Sequence, residues 1–342
     1  MRSGAGQFTL GLPAIPRGLS VFFLFAAYLT VSGVSLSARQ IQIEGRSYRD
    51  LASVAASFGM KGYWLKGTNI YRLKSRWTTI DFGTNRKICE LNTMPVYLGF
   101  PTVKQGSMLY IAEADVRHAL QPILTPQVFP QRPGLKRIVI DPGHGGKDSG
   151  ACDQQYGQQE KQLTLDVASR LEVLLQEAGY EVVLTRKHDR YIPLAERTRV
   201  ANRANADLFI SLHFNAAAST TAAGLETFAL TPQYQASSKY PKPSARDRTR
   251  YPGNDQDTWN TLAAYHLQSG LVSALGGPDR GLKRARFLVL KDLQCPGALV
   301  ELGFLSHRPS AQKMQSSVER QRIAQALFKG IIAYRNRLQR IR

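Results

Sequence analysis

Acid is what this chain is short of. It has 25 aspartates and glutamates against 45 lysines and arginines, a formal charge of +20 over 342 residues. Such an imbalance favours an anionic partner (nucleic acid, acidic lipid or an acidic wall polymer) without choosing among them. Cysteine is scarcer: there are three, none in a C-x-x-C pair, which excludes a disulfide-stapled scaffold and a zinc ribbon. Charge of either sign is missing between Arg17 and Arg39, where 21 residues run uncharged and are densest in apolar side chains from Leu19 to Val31. A basic start, an apolar stretch and the small residues Ser35, Ser37 and Ala38 form an export pattern. An uncleaved anchor is the rival reading, since about 20 apolar residues span a bilayer. Residues 1–38 are thus expected to be a signal peptide or membrane anchor, and the rest to work in the periplasm or cell envelope. Export removes nucleic acid as a partner and leaves a membrane only if the segment stays uncleaved.

What is present supports a folded protein. Hydrophobic residues make up 43% of the chain, enough for a buried core, and the length suits about two domains. Residues 39–121 read as a small β-rich α+β domain. Within them NIYRLKS, WTTIDF, ICELN, MPVYLG and SMLYIAE alternate apolar and polar residues, and DLASVAASFGM supplies one helix that Gly59 closes. Neither His118 nor Cys89 has clustered partners in the sequence, so an accessory role is expected for this part. It resembles the β-rich stalk domain at the start of copper amine oxidases, although nothing in it would bind copper. Residues 122–134, PILTPQVFPQRPG, hold four prolines and read as a stiff, extended linker. Residues 135–342 form the second domain. There, strand-like runs alternate with helical ones, which predicts an α/β fold with a mostly parallel sheet and helices on both faces.

The chemistry lies in this second domain. KRIVIDPGHGGKDSGA begins as a buried strand and breaks into a loop whose glycines 143, 145 and 146 surround His144. A phosphate-binding P-loop is excluded at two positions: Asp141 stands where its first glycine belongs, and Asp148 follows Lys147. Glu160 opens a helix with Leu163, Val167, Leu171, Leu174 and Leu175 on one face, and DLFISLHFN ends an apolar strand at His213. Two imidazoles and one carboxylate match a three-ligand zinc site with a position left open. Singly, each has a plainer reading, as a loop residue, a helix-start charge and a core histidine. In ALVELGF, Glu301 sits within an apolar strand, where a carboxylate is costly unless paired, catalytic or near a metal; Arg199 and Arg286 are the candidate pairing partners.

DPGHGGKDSGA, Glu160–Lys161, LTRKHD, RVAN, ADLFISLHFNA and VELGF together resemble the amidase 3 family of zinc-dependent N-acetylmuramoyl-L-alanine amidases, over roughly Leu135 to Tyr334. The resemblance implies one zinc ion held by His144, Glu160 and His213, with Glu301 as the catalytic residue. It further implies hydrolysis of the amide between N-acetylmuramic acid and L-alanine of the stem peptide, by zinc-activated water with the glutamate as general base and acid. Peptidoglycan becomes the expected partner, and an activator protein stays open. His307 stands where the family usually has Asn, and Cys152 lies just after the loop; neither is expected to hold the metal. The segment from Thr231 to Asp255, with five basic residues against two acids, reads as a mobile basic loop without an inhibitory helix. The final helix, basic along its length, is expected to bury Ile323, Leu327, Ile331 and Tyr334. Two other classes remain: a non-catalytic wall-binding protein and a zinc peptidase.

Overall fold

Side chains suited to a pleated surface, at every second position, build nine short strands in the first part of the computed structural model, which describes residues 40–341. These are β1 (Gln40–Ile43), β2 (Arg46–Asp50), β3 (Lys61–Trp64), β4 (Ile70–Lys74), β5 (Thr79–Gly83), β6 (Ile88–Leu91), β7 (Met94–Tyr97), β8 (Val103–Gln105) and β9 (Met108–Ala112). The helix α1 (Leu51–Ser57) starts where Asp50 accepts the Ser53 amide at 2.9 Å, a side-chain cap for an otherwise unpaired donor. The expected export segment, residues 1–38, lies outside the described residues. Among those described, no helix is long and apolar enough to cross a membrane.

The proline-rich joint departs from the extended linker expected for 122–134. Its start is helical: α2 (Glu113–Asp115), a π-helical stretch (Val116–Leu120), α3 (Gln121–Leu124) and a 3-10 turn (Pro126–Val128) follow one another. Both Pro122 and Pro126 fall in first turns, where the missing N–H costs nothing. Pro122, Ile123 and Pro126 are buried. Apolar contact, not backbone stiffness, decides the conformation here.

Beyond it come β10 (Arg137–Pro142), α4 (Glu160–Glu177), β11 (Glu181–Leu184), α5 (Leu194–Arg203), β12 (Leu208–Asn215), β13 (Leu225–Leu230), α6 (Asp257–Leu275), β14 (Asp279–Ala285), α7 (Leu288–Lys291), β15 (Gly297–Phe304), α8 (Arg308–Met314) and α9 (Ser317–Gln339). The strands run in the order β11-β10-β12-β15-β13-β14. All neighbours are parallel except β13 and β15, which are antiparallel. Alternation sends successive residues to opposite faces. Ile138 and Ile140 join the core under α4, α6 and α9, whereas Val139, Phe209 and Leu299 pack with residues of α5 and α7. The expected α/β sheet covered on both faces is therefore present.

The sheet does not stop at β14. Leu282 pairs with Val96 of β7, and the order continues β7-β6-β5-β4-β3, so both parts of the chain share one eleven-stranded sheet. β1, β2, β9 and β8 form a separate four-stranded sheet. The junction needs a glycine: Gly281 has φ +80°, and a Cβ there would run into the Pro95 carbonyl.

Candidate metal centre and its surroundings

Three elements bring the site together at the carboxyl ends of parallel strands, where open α/β sheets commonly bind ligands. His144 follows β10, His213 lies near the end of β12, and Glu160 is the first residue of α4. A helix start favours a carboxylate because the unpaired N–H groups carry partial positive charge. One carboxylate oxygen, Glu160 Oε1, lies 3.1 Å from His144 Nε2 and 2.9 Å from His213 Nδ1. The two rings meet edge to face with centroids 4.9 Å apart. Backbone amides hold the same carboxylate: Phe214 N donates to Oε1 at 2.9 Å and Ala151 N to Oε2 at 2.8 Å.

Burial disfavours the charge on Glu160, but the bonds to His144 and His213 outweigh it and bring its pKa down to about 2. Burial likewise opposes protonation of His144; Glu160 and then Asp148 overcome it and raise the pKa. Asp148 Oδ2 stands 2.9 Å from His144 Nδ1, on the far side of the ring from Glu160. A carboxylate behind an imidazole is how metal-binding histidines are commonly oriented.

His144 itself has φ +60°, an uncommon conformation for a residue with a side chain. Two buried guanidinium groups hold it there. Arg186 donates to the carbonyls of Pro142 at 3.0 Å and Gly143 at 2.7 Å; Arg197 donates to Pro142 at 2.9 Å and His144 at 2.8 Å. Arg197 also pairs with Asp141 at 2.9 Å, the two side chains being 2% and 0% exposed. Asp141 accepts further bonds from Thr185 at 2.6 Å and Ser211 at 2.8 Å. Burial and then its neighbour Arg197 lower the Arg186 pKa to about 10, which leaves it charged at neutral pH. In the sequence Arg186 stands out only as part of LTRKHD, and nothing there assigns this supporting role to Arg197 or Asp141. An arginine two residues after an apolar strand and an acid at a strand's end are the available signals, but neither names its partner.

Glu301 lies opposite His213 across the β12–β15 pair and opposite Glu226 across β13–β15. The register shifts just beyond it: Asn215 pairs with Phe304. Such a bulge inserts an extra residue and re-aims the strand. Glu301 Oε2 is shut off from solvent and finds no hydrogen-bond partner among the described residues. Burial first, then Glu160 and Glu226, push its pKa well above the ordinary carboxylate value, against the pull of Lys283. Neither expected pairing partner reaches it, since Arg199 pairs with Glu196 and Arg286 with Asp247. Glu226 instead is fully engaged, by Asn215 at 2.9 Å, Arg280 at 2.6 Å and Lys283 at 2.5 Å.

The donor set fits a zinc ion. Ligand atoms of His144, Glu160 and His213 lie within 4.8 Å of one another. Gly150 keeps the cradle open: a Cβ there would stand 2.5 Å from Glu160 Oε2 and 2.6 Å from His144 Cδ2. Cys152 Sγ turns away to Ser149 Oγ at 3.4 Å and the Gly150 carbonyl at 3.7 Å. His307 Nδ1 meets Ser310 Oγ at 2.8 Å, at the start of α8. The segment after β13 differs from the mobile loop expected. Two 3-10 turns, Ala245–Arg248 and Pro252–Gln256, bury Asp247 and Asn254, and Arg286 pairs with Asp247 at 2.5 Å. α9 buries Ile323, Leu327, Ile331 and Tyr334.

Residues 138–333 match the family model described as N-acetylmuramoyl-L-alanine amidase; β1–β9 lie outside that match. The chain is 36% identical over 197 residues to the N-acetylmuramoyl-L-alanine amidase LytC of Bacillus subtilis, covering 58% of this chain and 35% of LytC. It is 31% identical over 226 residues to the amidase AmiA of Salmonella typhimurium, covering 60% of this chain and 78% of AmiA. A solved N-acetylmuramoyl-L-alanine amidase from Clostridium difficile 630 superposes with a TM-score of 0.50 at 30% identity, over 59% of this chain and 97% of that one.

Proposed function

Because this chain belongs to the N-acetylmuramoyl-L-alanine amidase family, we propose that it hydrolyses the amide joining N-acetylmuramic acid to L-alanine of the peptidoglycan stem peptide, with one zinc ion held by His144, Glu160 and His213. The convergence of those three ligand atoms within 4.8 Å, one strand away from an unpaired Glu301 carboxylate oxygen, carries this reading. Bound there, zinc would supply a Lewis acid that polarises the scissile carbonyl and acidifies water.

The chain's own residues supply the rest. Glu301 takes a proton from the attacking water and delivers it to the leaving amine, as general base and then general acid. An amide needs the second step because an amine departs only when protonated. Glu160 keeps its negative charge through its bonds to His144 and His213, backbone amides of Phe214 and Ala151 hold its two oxygens in place, and Asp148 orients His144 from behind. Glu226, saturated by two cations and Asn215, is not available to take the proton itself. Peptidoglycan lies outside the cytoplasm, in agreement with the export pattern of residues 1–38 and with a periplasmic or envelope location.

Digestion of purified sacculi, with and without a chelator, followed by mass spectrometry of the new ends tests this. Stem peptides with a free L-alanine amine are expected, and none after chelation. Glu301→Ala should keep zinc and lose hydrolysis, whereas His144→Ala should lose both. Cuts within the peptide would make the protein a peptidase. Binding of sacculi with no new ends would make it a wall-binding protein, and full activity of Glu301→Ala would remove Glu301 from the mechanism.

A further inference from the structure

A cleft of about 690 Å³ opens beside Glu226, between β13, β14, the segment after β13 and Tyr97 of β7. Its walls are aromatic: Phe228 and Phe287 meet edge to face at 5.1 Å, and Tyr97, Tyr240 and Tyr251 complete them. Cations lie over these rings. Lys283 Nζ is 5.4 Å from Tyr97 and 5.7 Å from Phe228, Lys291 is 4.6 Å from Tyr251, and Arg246 is 5.2 Å from Tyr240. Lys239 also lines the cleft.

Among the described residues only two acids, Glu226 and Asp247, line the cleft, and both are spent. Glu226 is bonded by Lys283 and Arg280, and Asp247 by Arg286, the two acids being 3% and 4% exposed. Among the described residues, no acid lies within ion-pair distance of Lys239, Arg246 or Lys291. A cleft with aromatic walls and uncompensated cations attracts an anion more strongly than open surface does. The side nearest the reaction is defined by register, because Glu226 stands opposite Glu301.

We propose that this cleft binds carboxylates carried by the peptide arm of the substrate, two or three residues beyond the scissile amide. The inference rests on the amidase reading above. Distance sets the position: β14 lies two strand spacings from β15, roughly 10 Å across the sheet. An extended peptide covers about 3.3–3.6 Å per residue, so an arm leaving the bond at Glu301 reaches the β14 wall of the cleft with its second or third residue. Carboxylate is the anion such an arm offers, and lysine and arginine heads bind it by charge-assisted hydrogen bonds. The accessory part of the chain thereby shares in specificity. Tyr97 walls the cleft, and Lys87 Nζ donates to the Tyr240 carbonyl at 2.8 Å, fixing the opposite rim.

The test compares two soluble synthetic muramyl peptides, one with free carboxylates at the second and third residues and one with both as carboxamides. They are given to the zinc-loaded full chain, to the triple variant Lys239→Gln, Arg246→Gln, Lys291→Gln, and to Tyr97→Ala. The wild type should prefer the free acid in kcat/KM by about tenfold or more, the value of one charge-assisted hydrogen bond. The triple variant should lose most of that preference, and Tyr97→Ala part of it, with the loss appearing in KM. Equal cleavage of the two substrates by the wild type, or a preference undiminished in the triple variant, overturns the cleft assignment and leaves the amidase reading standing. Cleavage of neither substrate overturns both.

Discussion

Replacing Arg197 by methionine tests whether the His144 loop is held from beneath by a buried ion pair. The guanidinium makes four bonds: to Asp141 Oδ1 at 2.9 Å, to the carbonyls of Pro142 at 2.9 Å and His144 at 2.8 Å, and to that of Ile192 at 3.1 Å. Methionine fills much of the volume but leaves Asp141 ionised in a site with no exposure, bonded only to Thr185 and Ser211. Breaking a buried pair from one side costs about 3–5 kcal/mol, most of it the stranded charge. The pair itself is worth much less, so the double variant Asp141→Asn, Arg197→Met should recover about 1–3 kcal/mol relative to the sum of the single losses. Denaturation midpoints in urea, read by circular dichroism, give the stabilities. Competition with a chromogenic chelator gives zinc affinity, which should fall in the methionine variant because the φ +60° conformation of His144 loses one of its two supports. A loss below about 1 kcal/mol in Arg197→Met, or additive losses in the double variant, would refute the reasoning.

Further expectations follow from the same geometry. Gly150→Ala puts a Cβ against Glu160 and His144 at φ +65°, so zinc content by atomic absorption should collapse while circular dichroism stays near that of the wild type; normal zinc loading would contradict the cradle. Gly281→Ala should push β14 off β7, lowering the melting temperature and opening the chain between residues 100 and 137 to limited proteolysis. Unchanged proteolysis would mean that the sheet junction does not need a glycine at 281. Asp115 accepts the amides of Gly99 at 2.6 Å and Phe100 at 3.0 Å, yet burial raises its pKa to about 7. A raised acid contributes stability that is complete below its unfolded pKa and is lost as pH rises through the folded value. The melting temperature of the wild type relative to Asp115→Asn should therefore fall between pH 4 and pH 8, and a flat difference would show that the two amides and Arg284 keep the group charged.

Much of the site is legible in the amino-acid order. His144, Glu160, His213 and Glu301 each sit where a local pattern ends or begins: an apolar run breaking into glycine, the first residue of an amphipathic helix, the polar end of a core strand, one acid inside an apolar strand. Hydrophobic periodicity shows such positions because it depends only on neighbouring residues. The helices α4, α5 and α9 and most strands of the first part are readable for the same reason. The proline-rich joint misleads because proline's stiffness is a local property, whereas burial of Pro122, Ile123 and Pro126 is not. The basic segment after β13 misleads likewise: nothing within it reveals that Asp247 meets Arg286, which follows β14.

By itself, then, the sequence determined the residue types of the metal centre, the alternation of strand and helix that carries them, and the excess of positive charge. Tertiary structure decided which of those residues meet. It set Glu226 beside Glu301, stacked Asp141, Arg197 and Arg186 under the His144 loop, and joined the first part to the second through Val96 and Leu282. Each depends on strand register and on the burial of charge between segments far apart in the chain. A local pattern does not encode those quantities, because a shift of one residue in register would send every strand side chain among these to the other face.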